Sequence, residues 1–73
     1  MERYFRIRGE ELQNNEQASS ACREMERYAK QKDAKGLRKY FTSVGKGVLT
    51  AVLAKAAEYG LAEIFHKLAS IPL

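Results

Sequence analysis

The side chains that could perform covalent or metal chemistry are few: one histidine, His66, one cysteine, Cys22, and carboxylates scattered along the chain. A nucleophile needs a base within hydrogen-bond reach and a third group to orient that base, and a metal needs several ligands converging on one point. Neither pattern is present in the spacing, so no catalytic, cofactor-binding or metal-ligating residue is assigned, and the chain reads as a non-enzyme. His66 follows Phe65 late in a long apolar stretch and is expected to be a half-exposed surface histidine. Cys22 falls on a narrow face of small residues, where a buried structural thiol is the expectation. A single cysteine forms no internal disulfide, and no apolar leader precedes Glu10, which points to a reducing, cytoplasmic setting.

What remains is charge. Thirteen Lys and Arg against nine Asp and Glu give a formal net charge of +4, which favours polyanionic partners only where the cations cluster. They cluster between Lys30 and Lys46, where Lys30, Lys32, Lys35, Arg38, Lys39 and Lys46 face Asp33 as the only acid. Arg3, Arg6 and Arg8 form a second group at the N-terminus. A polyanion-binding reading selects Arg6, Arg8, Lys35, Arg38, Lys39 and Lys46. The Gly45-Lys46-Gly47 run invites comparison with a phosphate-binding loop, but that motif needs glycine where Tyr40 stands and a hydroxyl residue where Gly47 stands. It reads as a helix-breaking turn.

These residues must be positioned by helices. From Val48 to Leu68 the apolar residues come as adjacent pairs every fourth position: Val48-Leu49, Val52-Leu53, Ala56-Ala57, Gly60-Leu61, Ile64-Phe65, then Leu68. Such pairs form two neighbouring columns on one side of a helix, which predicts a long C-terminal helix over about 46–70, its apolar stretch about 31 Å in length, with Leu53 central in the core. Lys55, Glu58, Glu63, His66 and Lys67 interrupt it too often for a membrane span. Glu58-Tyr59-Gly60-Leu61 also has the form of a helix end, although the continuous helix is preferred. Upstream, Asp33 suits the cap of a helix carrying Leu37, Tyr40, Phe41 and Val44, and Asn14 or Asn15 that of an earlier helix over about 15–32. Residues 2–8 alternate, with Phe5 and Ile7 against Tyr4, Arg6 and Arg8, and read as a short strand stopped by Gly9. A lone strand leaves its backbone unpaired, so it pairs with a symmetry mate, or the segment is an extended arm or a helical lead-in.

The strand candidate followed by helices resembles in outline the ribbon-helix-helix repressors, which implies paired strands laid in the major groove with Tyr4, Arg6 and Arg8 outward. The resemblance covers about a dozen residues, and the polar run Gln13 to Ser20 and the long third helical segment depart from that pattern. Ala56 to Gly60 has the Ala-x-x-x-Gly spacing of a helix-turn-helix, but His66 stands where that motif buries a β-branched residue and Ile64 where it meets DNA.

Seventy-three residues, 45% hydrophobic and 30% charged, describe one soluble globular domain spanning 1–73. The expected fold is all-α: three to four helices, a short extended N-terminal arm and a long C-terminal helix. The shorter helices cover only the first half of the long stripe, leaving Ile64, Phe65 and Leu68, with Ile71 and Leu73, as a partner or self-association surface. The expected function is that of a small non-catalytic interaction or regulatory protein of adaptor, inhibitor or mobile-element accessory type. It would dock a helical surface on another protein or on itself as a homodimer. The competing class is a basic nucleic-acid binder of the dimeric transcriptional-regulator type. No cofactor is expected.

Overall fold

The computed structural model describes the backbone of residues 1–70 and the side chains of residues 1–68. Its elements are α1 (Glu2–Glu11), α2 (Glu16–Lys30), α3 (Ala34–Ser43), α4 (Lys46–Leu53), a 3-10 turn at Ala56–Tyr59, and α5 (Ala62–Ser70). The all-α reading holds, with no strand among the described residues. None of their helices is long and apolar enough to cross a membrane. The expected end of the last helix at Pro72, and the roles of Ile71 and Leu73, lie outside the described residues.

Local chemistry explains the starts of α2 and α3. The Asn15 side chain accepts from the Ala18 backbone N–H at 3.2 Å and opens α2, and the Asp33 carboxylate accepts from the Gly36 N–H at 2.8 Å and opens α3. Both starts agree with the sequence reading.

Residues 2–8 are neither strand nor arm: they are the body of α1. Over seven residues the alternation coincides with a helical column, because Tyr4, Phe5 and Arg8 are buried at i, i+1 and i+4 and half-buried Leu12 extends the same side. A helix also satisfies its own backbone groups, which a solitary strand cannot do. Gly9 does not stop the element. A Cβ at that position would lie 3.4 Å from the Cys22 Cβ, at the near edge of ordinary contact, so α1 runs close along α2 here. With no strand in this segment, the ribbon-helix-helix outline loses the element that carried it.

The long C-terminal helix is also not formed; α4, the 3-10 turn and α5 replace it. Gly60 adopts a left-handed conformation at φ 71°, which costs a glycine nothing. The Leu61 N–H then donates to the Ala56 carbonyl at 3.0 Å and the Gly60 N–H to the Ala57 carbonyl at 3.1 Å. This paired closure is a Schellman motif, with apolar Leu61 just beyond it. The break resolves the coverage problem posed by a straight stripe, since two short segments can turn their apolar sides onto one core. Val48 and Val52 of α4 and Ala56 of the 3-10 turn face inward; Val52 is fully buried, and Leu53, expected at the centre of the core, is only half-buried.

At the end of α4 the carbonyls of Ala51 and Val52 are met by α1. The Tyr4 hydroxyl donates to the Val52 oxygen, and the Arg8 guanidinium donates to Val52 O at 3.3 Å and Ala51 O at 2.6 Å. The remaining fork of Arg8 donates to Glu11 at 2.8 Å, so a residue only 6% exposed is fully engaged. Around this cap lies an aromatic core. The ring of Phe65 on α5 sits 5.4 Å from both Tyr4 and Phe5 and 5.9 Å from Phe41 on α3. Thus α1 supplies the cover for the end of the stripe that had been assigned to a second subunit. Phe65 is 1% exposed and Leu68 9%, whereas Ile64 is 43% exposed.

Phe65→Ala is expected to cost about 3–5 kcal/mol and to lower the thermal midpoint by about 12 °C or more, read by circular dichroism. Ile64→Ala should change stability by less than about 1 kcal/mol. Arg8→Ala is expected to cost about 2–4 kcal/mol in urea unfolding because the Ala51 carbonyl loses its donor. Arg8→Lys should recover only part of that loss, since an ammonium cannot fork between two carbonyls and a carboxylate.

Candidate functional site

The groups with reactive potential are placed by the fold. Cys22 is buried on the α1-facing side of α2, and burial pushes its thiol from an ordinary 9.0 up to about 11, away from the nucleophilic thiolate. His66 is exposed on α5. Among the described residues no group of three or more His, Cys, Asp or Glu side chains is arranged to hold a metal. An open cleft of about 570 Å³ lies between α2 and the α3–α4 junction, with Glu16, Gln17, Ser20 and Arg23 on one wall and Tyr40, Val44 and Val48 on the other. Its rim carries Glu16 and Arg23, one charge of each sign, and no set of convergent catalytic groups.

The six cations selected from the sequence separate into two classes. Arg6 bridges Glu2 at 3.0 Å and Glu26 at 3.1 Å, tying α1 to α2. Those carboxylates hold its guanidinium above the usual arginine range, the hydrogen bond that it donates to Glu26 acting most strongly. Arg8 is spent inside the fold on the α4 carbonyls. Lys35 and Lys39 are exposed on α3, Arg38 is half-buried beside them, and exposed Lys46 opens α4. Lys35, Arg38 and Lys39 therefore share α3 and Lys46 follows at the start of α4, in one basic region of the chain, while Arg6 and Arg8 are engaged on α1. Exposed Lys30 and Lys32, at the α2–α3 turn, join that region.

Ion pairing sharpens the division. The acids Glu2, Glu11, Glu24, Glu26 and Glu63 pair with Arg6, Arg8, Arg27 and Lys67. Asp33, the only acid in the basic segment, is committed to the α3 cap. Among the described residues Lys30, Lys32, Lys35, Arg38, Lys39 and Lys46 form no ion pair, and the Arg38 Nε is buried without a hydrogen-bond partner. Those six cations and one acid give the segment a formal charge of +5, which leaves −1 on the rest of the chain. Lys35, Lys39 and Thr42 are exposed at i, i+4 and i+7, one outward row along α3, and exposed Lys32 stands in the entry turn with φ 56°.

The capping role of Tyr4 and Arg8 was not visible in the sequence. The signal, a tyrosine and an arginine four residues apart on a buried helical face, becomes readable only once residues 2–8 are known to be helical. Comparison with protein-family models, with curated proteins and with solved structures found no match to this chain.

Cys22 should resist alkylation by iodoacetamide at pH 8 in the native protein and react fully in urea, read by mass spectrometry. A thiol whose folded value is raised contributes stability that is complete below the unfolded value near 9.0 and is lost as pH climbs toward about 11. The buried Tyr4 and Tyr40 hydroxyls, also raised by desolvation, act in the same direction. The thermal midpoint is therefore expected to fall across that window, and Cys22→Ala to make the fall shallower.

Proposed function

We propose that this chain is a small non-catalytic interaction protein that works by docking the outer face of α3 and its flanking turns on an acidic macromolecule. The observation that supports this reading is the unequal use of charge: Glu2, Glu11, Glu24, Glu26 and Glu63 pair with arginines and a lysine outside α3, while Lys32, Lys35 and Lys39 pair with none. Like charges at i, i+4, such as Lys35 and Lys39, destabilise an isolated helix by about 0.2–0.5 kcal/mol. An anionic partner would convert that repulsion into attraction. The row also has no structural duty that a partner would disturb, because its side chains stand outside the core.

The test separates location from total charge. Changing Lys32, Lys35 and Lys39 together to Gln should leave the circular dichroism spectrum intact and the thermal midpoint unchanged or slightly higher. Retention on heparin at low salt should collapse. A control with Arg3, Lys55 and Lys67 changed to Gln removes the same net charge from other places. Its retention should stay close to that of the wild type. Equal loss in both variants would show that no particular face docks, and absence of wild-type retention would remove the proposal.

A further inference from the structure

We infer that the partner of the α3 face is double-stranded nucleic acid, held through its phosphate backbone without readout of base sequence. The inference rests on the docking reading above and deepens it by naming the partner class.

The composition of the face discriminates between polyanions. Its exposed residues are lysines with Gln31, Asp33, Ala34, Thr42, Ser43 and Gly45; of the large apolar side chains exposed among the described residues, Tyr59 and Ile64 lie elsewhere and Met1 alone borders it, at the cleft that Lys32, Asp33 and Ala34 line. Protein interfaces are depleted in lysine and take their energy from buried aromatic and arginine anchors, so this face is poorly built to hold an acidic protein. Phosphate backbones make no such demand. Each lysine that neutralises a phosphate releases a condensed counterion, and shape complementarity is secondary.

Aromatic placement selects duplex over single strand. Proteins that hold single strands display aromatic rings on which bases stack. Here Tyr28 and Tyr40 are half-buried with ring centroids 5.8 Å apart, packed on each other rather than presented along the lysine row. From Lys35 to Lys39 the row spans about 6 Å, a length over which a duplex carries roughly three to four phosphate charges. The hydroxyls beside it have their protons committed. Thr42 Oγ1 donates to the Lys39 carbonyl at 2.8 Å and Ser43 Oγ to the Tyr40 carbonyl at 3.0 Å, so neither is available to donate to a base edge. Flexible ammonium groups acting as point charges then give attraction without a sequence code.

The experiment is fluorescence anisotropy with the intact chain and labelled 20-base-pair duplexes of two unrelated sequences, with one of their single strands and with polyglutamate as competitors. With about four phosphates neutralised, the logarithmic salt slope should be roughly −4, so affinity should fall roughly 200-fold between 50 and 200 mM salt. The two duplexes should bind alike and more tightly than the single strand or polyglutamate. Lys35→Gln with Lys39→Gln should reduce the slope by about 2, and Lys55→Gln should leave it unchanged. Heparin retention without duplex binding at 50 mM salt would overturn the inference while leaving the docking reading in place. Failure on both ligands would remove both. A single strand or polyglutamate bound as tightly as duplex, a marked preference between the two sequences, or a slope near zero would each overturn the inference.

Discussion

Helix α4 ends inside the fold, and its last carbonyls must find donors there. A buried carbonyl without a partner costs about 1–3 kcal/mol, a large share of the stability of a domain this size. Tyr4 and Arg8, one turn apart on α1, meet that demand at Ala51 and Val52. The bonds from Tyr4 and Arg8 to those carbonyls fix the rotation of α1 about its axis, and Glu11, one turn along the same helix, neutralises the buried guanidinium. That rotation presents Tyr4 and Phe5 to Phe65, and α5 can then close the core. One cap thereby orients the first helix and provides the floor for the last.

The cap also organises the electrostatics. Arg8 is satisfied within α1 and at the end of α4, and Arg6 latches α1 to α2 through Glu26. Helix α3 joins the body by a different kind of contact: Leu37 and Phe41 are buried, and the Tyr40 ring packs at a tilt against Tyr28. The cations on the outside of α3 are consequently free of architectural work, so the surface can carry a concentrated positive potential without a competing internal partner. A fold secured by Phe65 and its neighbours and a surface defined by Lys35 and Lys39 can be altered independently of one another.

Much of this arrangement was legible in the sequence where the signal was local. Asn15 and Asp33 are caps in both the reading and the structure, because a short side chain bonding its own backbone needs no distant partner. The segments failed where the decision was tertiary. Over residues 2–8 an alternating pattern and a helical face select overlapping residues, and only the presence of Cys22, Val52 and Phe65 as neighbours favours the helix. In the same way the Tyr59-Gly60-Leu61 stop was visible, but a continuous apolar stripe weighed against it. The stripe counts hydrophobic residues without asking whether one straight face can be covered. Of the candidate site, the lysines of α3 were found by clustering alone. Arg6 and Arg8 were included because sequence spacing does not show which cations will be consumed by Glu2, Glu11, Glu26 and two carbonyls.

The bond from Tyr4 to Val52 spans 48 positions, and this separation orders the assembly of the chain. Closing a loop of that length costs roughly 3.4 kcal/mol in chain entropy beyond a constant. The loop that brings Gly9 to Ser19 spans 10 positions and costs roughly 2 kcal/mol on the same scale. The difference of about 1.4 kcal/mol is a factor of ten in the frequency of encounter, so the α1–α2 hairpin forms before α4 arrives. During synthesis the first helix leaves the ribosome with its arginine and tyrosine unsatisfied and waits for residues made some forty codons later. Until they emerge, Tyr4 and Phe5 form an uncovered aromatic surface on the nascent hairpin. Truncated products would therefore be the form of this chain most prone to aggregation and to capture by chaperones.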